Sequence, residues 1–200
     1  MIALFFICLN INNNESKLKK IQIALIKETK KAMADLNIGI RDNLEKDEPF
    51  LIIVDSSIKE LNAKFTMEYG FDSGKKDLAS RWYKEPRIRI SPIFYSILLK
   101  IRDTSNLIYL QTKSIIAHEL THYLQKSIMN DFAPYTALGD PDMEQKSLTE
   151  FEAYSIGCYY FLSKYNSGSL KKIMNSLVSP KEKMILIMNV ATDIFFPDSR

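Results

Sequence analysis

The segment Thr112–Ile128, TKSIIAHELTHYLQKSI, decides how the rest of the chain is interpreted. Its apolar residues, among them Leu120 and Leu124, recur at helical spacing, which predicts one helix across the segment. His118 and His122 are four residues apart, so both imidazole rings should project from one face, one turn apart. The sequence therefore predicts two histidines presented side by side on a helix.

Two imidazoles at this spacing are typical of a zinc site, because each can give one ring nitrogen to the same Zn²⁺ at about 2.0–2.1 Å. Glu119 follows the first histidine, where its carboxylate can reach a water that the metal activates without being a ligand. The chain has only 2 histidines, and both lie in this motif. The competing interpretation is a helix with two partly exposed histidines that bind nothing.

A catalytic zinc site needs a third protein ligand and an open position for water. Since there is no third histidine, we expect a carboxylate from another element. The next predicted helix, Ser147–Ser163, carries two candidates, Glu150 and Glu152. Residues two apart on a helix point to roughly opposite sides, so only one of them should reach the metal.

A histidine pair of this kind followed by a glutamate-bearing helix resembles the gluzincin branch of zinc peptidases, which includes small bacterial and phage enzymes. The resemblance covers about residues 112–161. It does not extend to the longer metzincin motif, because Gln125 and Ile128 stand where that motif has glycine and a third histidine. The resemblance implies a zincin-like fold, one Zn²⁺ and hydrolysis of bonds in a peptide or protein substrate.

The resemblance also implies a role for each residue of the motif. His118 and His122 correspond to the two histidine ligands, and Glu119 corresponds to the general base. The family's glutamate ligand corresponds to Glu150 or to Glu152.

Of these two, Glu150 is our preferred third ligand. Ala153 and Gly157 lie on its own helix face, and small residues there would let this helix pack closely against the motif helix. Glu152 is the alternative, because it directly precedes alanine, as the ligand does in the thermolysin-like pattern.

Two further parts of a gluzincin site have several candidates here. Since both histidines are already used, a tyrosine is implied as the oxyanion stabiliser, and Tyr135, Tyr154 and Tyr123 are candidates. Many gluzincins carry aspartate four residues after the glutamate ligand, where it orients a histidine, but this chain has Tyr154 at that position relative to Glu150 and Ile156 relative to Glu152. Asp140 and Asp142 are the candidates for orienting a histidine instead.

Length and composition suit one globular domain, since the chain has 200 residues, of which 46% are hydrophobic and 26% charged. Strands are predicted at Phe50–Val54, Lys64–Tyr69 and Trp82–Ile90, before most of the helices. Strands early and helices late indicate the α+β class. We therefore predict a single zincin-like domain over residues 1–200, mostly helical, with a small N-terminal mixed sheet packed on the motif helix.

Apolar spacing and capping residues predict the remaining helices and one loop. One helix is predicted over Ser16–Leu36, capped by Ser16 and with Gly39 just beyond its end, and another runs from Ser91-Pro92 to about Ile101. A loop is predicted over Asp131–Gln145. The last helix begins at the capping box Ser179–Glu182 and ends near Pro197.

The first segment, Met1–Leu9, is apolar but far too short to span a bilayer, and it has no basic leader or small-residue cleavage site. We interpret it as a buried first strand of a cytoplasmic protein, with an atypical export signal as the alternative. Cys8 and Cys158 form no Cys-x-x-Cys pair, so we expect free thiols. We expect a monomer without a membrane span.

The resemblance implies a peptide substrate held as an added strand at a sheet edge. Arg87–Ser91 is the candidate edge, with an interior strand as the alternative. The net charge of +3 is too small to indicate nucleic acid, and we interpret the lysines of Ser16–Leu36 as a solvated face. The main alternative function is a metallopeptidase-like module that binds zinc or regulates a partner without catalysis.

Overall fold

The structure, a computed structural model, describes residues 2–40, 51–58, 63–71, 82–101, 103–125 and 143–195. This part of the chain is mostly helical, as predicted. In chain order its elements are α1 (Ile2–Asp35), β1 (Leu51–Val54), β2 (Ala63–Phe71), β3 (Trp82–Ile90), α2 (Pro92–Lys100), α3 (Leu107–Leu124), α4 (Met143–Tyr165), α5 (Ser167–Met174) and α6 (Pro180–Phe195).

The prediction for the N-terminus is wrong. Residues 2–9, expected as a buried strand, are helical, and α1 continues from Ile2 to Asp35, so Ser16 lies inside the helix and does not cap it. A short apolar run fits a helix as well as a strand, which is why periodicity alone did not separate them. Asn37, two residues beyond the last residue of α1, adopts the left-handed conformation with a φ of 57°. It lies two residues before Gly39, the residue predicted to follow the helix.

The three strands occur close to their predicted positions. β1 is parallel to β3, with Leu51 opposite Arg87 and Val54 opposite Ile90, and β2 is antiparallel along the whole length of β3. The strand order is β1-β3-β2, which puts β3 in the middle. The prediction that Arg87–Ser91 forms an edge is therefore wrong, and its alternative, an interior strand, describes this segment.

Two hydrophobic clusters hold α3 in place. In the first cluster, Ile88 and Ile90 of β3 lie with Ile116 and Leu120 of α3, and all four are fully buried. The second cluster joins the end of α1 and Leu124 of α3 to the three C-terminal helices. Because apolar residues on α3 are committed to both clusters, the rotation of this helix is fixed, and with it the direction of the histidines.

Two of the predicted helix caps are confirmed, at Ser91 and at Ser179. The Ser91 hydroxyl accepts a hydrogen bond from the Phe94 amide at 3.2 Å, and Ser179 and Glu182 form the reciprocal bonds of a capping box. The predicted loop Asp131–Gln145 lies outside the described residues except for its last three, which are helical.

Two other predictions concern membrane spans and the two cysteines. Among the described helices, none combines the length and the hydropathy that crossing a bilayer requires. Cys158 is a free thiol whose pKa is raised to about 11 by burial, so it is an unreactive packing residue. The side chain of Cys8 lies outside what the structure describes.

Candidate metal centre

Helix α3 presents His118 and His122 as the predicted pair. Their Nε2 atoms are 3.2 Å apart, and the two ring planes are nearly perpendicular at 85°. Only 13% and 12% of the respective side-chain surfaces are exposed. The spacing of four residues on a helix produces this arrangement, because it places one ring a turn above the other.

Helix α4 brings Glu150 to the same point. One of its carboxylate oxygens lies 3.5 Å from Nε2 of His118, and the other lies 3.4 Å from Nε2 of His122. One donor atom from each of the three residues lies within 4.8 Å of the others. The Glu150 side chain is 47% exposed, so the cluster is open to solvent on the α4 side and sheltered on the α3 side.

The spacing of these donor atoms fits zinc. Two ligands that are each about 2.0–2.1 Å from a tetrahedral ion lie about 3.3 Å from one another. The two Nε2 atoms, 3.2 Å apart, match this value, and each of them lies 3.4 or 3.5 Å from a different oxygen of Glu150, so that one donor atom from each residue lies within 4.8 Å of the others. Two imidazoles and one carboxylate are also the donor set of many catalytic zinc sites. His118, His122 and Glu150 therefore lie close enough together, and carry suitable donor atoms, to hold one metal ion.

A glycine permits α4 to come this close to α3. A Cβ atom at Gly157 would lie 2.9 Å from the Ser114 carbonyl oxygen and 3.5 Å from Cβ of His118. Ala153, one turn earlier on α4, is completely buried. The prediction that small residues on the Glu150 face allow close packing against the motif helix is confirmed.

Burial makes both histidines hard to protonate. It lowers the pKa of His118 to about 3, with the neighbouring His122 contributing and the Ala153 carbonyl acting in the opposite direction. Burial also lowers the pKa of His122, although Glu150 and Gln125 oppose the shift. Both rings are therefore neutral near pH 7, the form in which a ring nitrogen has a lone pair for a metal.

Gln125 contacts the ring of His122, a contact that the sequence analysis missed. Its side-chain Oε1 lies 3.3 Å from Nδ1 of His122, while its Nε2 donates to the Thr149 carbonyl at 3.1 Å and to Glu152 Oε2 at 2.8 Å. Both amide N–H groups thus point at acceptors, which leaves the oxygen facing the ring. The Gln125 oxygen can only accept, so this contact favours the Nδ1–H tautomer of His122, with Nε2 on the side of Glu150.

The carboxylate of Glu152 is consequently hydrogen-bonded to Gln125 and is not one of the donor groups at the histidines. Its carboxylate accepts from Gln125, and it does not belong to the group of three residues that could hold a metal. Burial raises its pKa, and the hydrogen bond from Gln125 lowers it. Of the two candidates for the third ligand, the structure brings Glu150 to the histidines and directs Glu152 away from them.

Glu119 lies beside the cluster without joining it. Its Oε1 is 3.8 Å from Nε2 of His118, and its side chain is 13% exposed. A carboxylate in this position can accept a proton from a water or substrate group held at the cluster. This placement agrees with the role that the motif predicts for it.

The predicted accessory residues are only partly described. The Tyr154 ring packs against His118 with 4.4 Å between centroids, and the residue is 59% exposed, so it borders the cluster. Tyr123 instead packs against the hydrophobic clusters. Tyr135, Asp140 and Asp142 lie outside the described residues. The Nδ1 atom of His118 is buried without a side-chain partner among the described residues, and the backbone group that acts on this ring is the Ala153 carbonyl.

Comparison of the chain with protein-family models, with curated proteins and with solved structures gives no match. The resemblance to gluzincins therefore rests on the motif, and what this site does has to be argued from its own residues.

Proposed function

We propose that this chain is a zinc-dependent peptidase of the gluzincin type. The observation that carries the proposal is the convergence of Nε2 of His118, Nε2 of His122 and a carboxylate oxygen of Glu150 within 4.8 Å. The carboxylate of Glu119 lies next to them. Two neutral imidazoles, one ligating carboxylate and one adjacent base form the minimum set for hydrolysis by an activated water.

The proposal includes a zincin-like fold in which a small mixed sheet packs on α3. Burial of Ile88 and Ile90 in the same cluster as Ile116 and Leu120 supports it. In this arrangement the sheet lies against one side of the motif helix and α4 against another, so that the histidines are presented from a rigid element.

In the proposed mechanism, His118, His122 and Glu150 would hold one Zn²⁺. When bound, the ion would supply Lewis-acid chemistry to a carbonyl group and to a water molecule. Glu119 takes the proton from the attacking water and returns it to the leaving amine. Tyr154, at the border of the cluster, is our candidate for stabilising the oxyanion by its hydroxyl group.

The proposed substrate is an extended segment of a peptide or protein. Because β3 lies between the other two strands, an added strand has to pair with β1 or β2. The half-exposed side of the cluster, where Glu150 and Tyr154 lie, is where a scissile bond would approach.

The test compares the wild type with Glu119→Gln and with a carboxylate control, Glu28→Gln. Glu28 lies on α1 and pairs with Lys164 at 2.9 Å, away from the cluster. We expect hydrolysis of a mixed peptide library, measured by mass spectrometry, to fall about 10²–10⁴-fold in Glu119→Gln, while zinc content stays at one ion per chain. The control should retain both properties.

The outcomes separate the proposal from its alternative. Wild-type protein without stoichiometric zinc, or Glu119→Gln with the wild-type rate, contradicts the proposal. Stoichiometric zinc without hydrolysis of any peptide would instead favour the metallopeptidase-like module that binds zinc or regulates a partner.

A further inference from the structure

Gln125 is held firmly at the end of α3, directly after the motif. Its backbone N–H donates to the Thr121 carbonyl at 2.8 Å, and its backbone forms an isolated antiparallel bridge with Ile40, in the segment after α1. Only 1% of the residue is exposed. Both the helix and the segment beyond α1 therefore determine where its side chain begins.

The side chain of Gln125 is buried with every polar group in use. A buried primary amide is costly unless its donors and its acceptor are paired, and here all of them are, with His122, Thr149 and Glu152. Such a network has one favourable orientation. Rotating the amide by half a turn would place its oxygen against two acceptors and its NH₂ group against the ring nitrogen.

We infer that Gln125 and Glu152 form a positioning relay for His122. The Glu152 carboxylate accepts from the Gln125 amide, whose oxygen accepts from Nδ1–H of His122, so the negative charge acts on the ring through one amide group. This keeps Nε2 as the unprotonated nitrogen that faces Glu150. The inference rests on the proposed function, because the relay serves a ring that binds metal.

The relay also connects the two helices that supply the ligands. Gln125 donates to the carbonyl of Thr149, the residue that directly precedes Glu150. One side chain thus sets both the ring of His122 and the backbone beside the third ligand. Residues that hydrogen-bond a metal ligand in this way usually change metal affinity by about 10–100-fold when they are removed.

The two histidines differ in this respect. Nδ1 of His122 has a side-chain partner, Gln125, whereas Nδ1 of His118 has no side-chain partner in the part of the chain that the structure describes, and the backbone group that acts on that ring is the Ala153 carbonyl. We therefore expect loss of the relay to change the ring of His122 and to leave the ring of His118 as it is. A general loss of packing would affect both rings.

The experiment uses Gln125→Leu, Glu152→Leu and Glu152→Gln in the full chain. Two controls remove a buried hydroxyl whose hydrogen bond, within the described part of the chain, goes to a backbone carbonyl of its own helix. They are Thr112→Val on α3 and Ser155→Ala on α4, where the acceptor is the backbone of Glu152 and not its carboxylate. Zinc affinity is measured by competition with a chromophoric chelator, and the tautomer of each histidine by long-range ¹H–¹⁵N correlation spectra of the zinc-free protein.

We expect Gln125→Leu and Glu152→Leu to weaken zinc binding by about 10–100-fold and to give His122 a mixture of tautomers. Glu152→Gln keeps an acceptor oxygen, so it should retain the Nδ1–H tautomer and lose less affinity than Glu152→Leu. Both controls should match the wild type in both measurements.

Wild-type zinc affinity together with an unchanged His122 tautomer in Glu152→Leu would overturn the relay, even if Gln125→Leu fails to fold. Equal changes at His118 and His122 would also overturn it. The NMR measurement needs no zinc, so a protein that binds no zinc but shows the expected tautomers would refute the proposed function and leave the relay standing.

Discussion

Two helix pairs of this molecule share a core but bury different kinds of side chain. The pair α3 and α4, the ligand pair, buries polar residues between its helices, among them Gln125 and the two histidines. The pair α5 and α6, the C-terminal pair, keeps its described polar hydrogen bonds at helix ends, such as the Asn166 cap and the Ser179–Glu182 box. Both pairs contribute to the same hydrophobic cluster.

The difference indicates where burial of polar groups costs the fold stability. Buried polar groups cost free energy unless they are paired, and buried histidines must stay neutral. The ligand pair buries such groups, and the hydrogen bonds of Gln125 to His122, Thr149 and Glu152 reduce the free-energy cost of burying them. The C-terminal pair contains no buried histidine and keeps its described polar hydrogen bonds at the helix ends, so it serves as an internal control. Changes in the ligand pair should alter zinc binding, and changes in the C-terminal pair should alter stability alone.

The largest effect on stability should come from acidification of the zinc-free protein. The pKa of His118 is lowered from 6.5 to about 3 by burial, so the unfolded chain binds more protons than the folded one between these values. Stability must then fall as the pH falls through this window. We expect a loss of roughly 2 kcal/mol between pH 7 and pH 5 from His118 alone, measured by urea unfolding.

The C-terminal pair should contribute little in that window. The pKa of Glu182 is lowered from 4.5 by its bonds with Ser179, so its contribution is lost only at lower pH. The variant His118→Phe removes the titrating ring. It should therefore reduce the slope of the free energy of unfolding against pH between pH 5 and pH 7. An unchanged slope in His118→Phe would contradict the account of the buried ring.

The next prediction compares two glycine substitutions that should change the free energy of unfolding in opposite directions. Gly157→Ala places a methyl group 2.9 Å from the Ser114 carbonyl, so α4 must move away from α3. It should destabilise the fold by about 1–3 kcal/mol and weaken zinc binding, because Glu150 moves with α4. Gly168→Ala in α5 meets no atom within 4 Å, and it should stabilise the fold by up to about 1 kcal/mol.

Urea unfolding and chelator competition check both glycine variants. If Gly157→Ala bound zinc as tightly as the wild type, the close approach of α3 and α4 would not be what positions Glu150.

The smallest effect should come from the helix cap of α6. Ser179→Ala removes the hydroxyl that accepts from the Glu182 amide, and it should cost about 0.5–2 kcal/mol in urea unfolding. Zinc affinity should stay at the wild-type value. Ser176→Ala, which removes only a local bond to the Ile173 carbonyl, is the matched control. A change of zinc affinity in Ser179→Ala would show that the two helix pairs are not independent.

Local signals account for the parts of the fold that the sequence predicts well. Apolar periodicity located α3, and Ser91 and the Ser179–Glu182 box identified two helix starts, because capping depends on neighbours in the chain. The apolar run 2–9 gave no such signal, since helix and strand both accommodate it. The central place of β3 depends on pairing between distant segments, which no local pattern contains.

The candidate site follows the same rule. His118, His122 and Glu119 were predicted from spacing on one helix, and Glu150 was preferred over Glu152 through the small residues on its face. The link between Gln125 and Glu152 was missed, because it depends on the rotation of α4 against α3. The available signals were a polar residue one turn after His122 and a second carboxylate near Glu150.

The central claim is that His118, His122 and Glu150 hold one zinc ion. Zinc titration of the metal-free chain, followed by calorimetry, tests it most directly when wild type, Glu150→Ala and the distant control Glu28→Ala are compared. The account predicts one site per chain in the wild type and in Glu28→Ala, and at least about tenfold weaker binding in Glu150→Ala. A wild-type chain without a site, or Glu150→Ala with undiminished affinity, would contradict it.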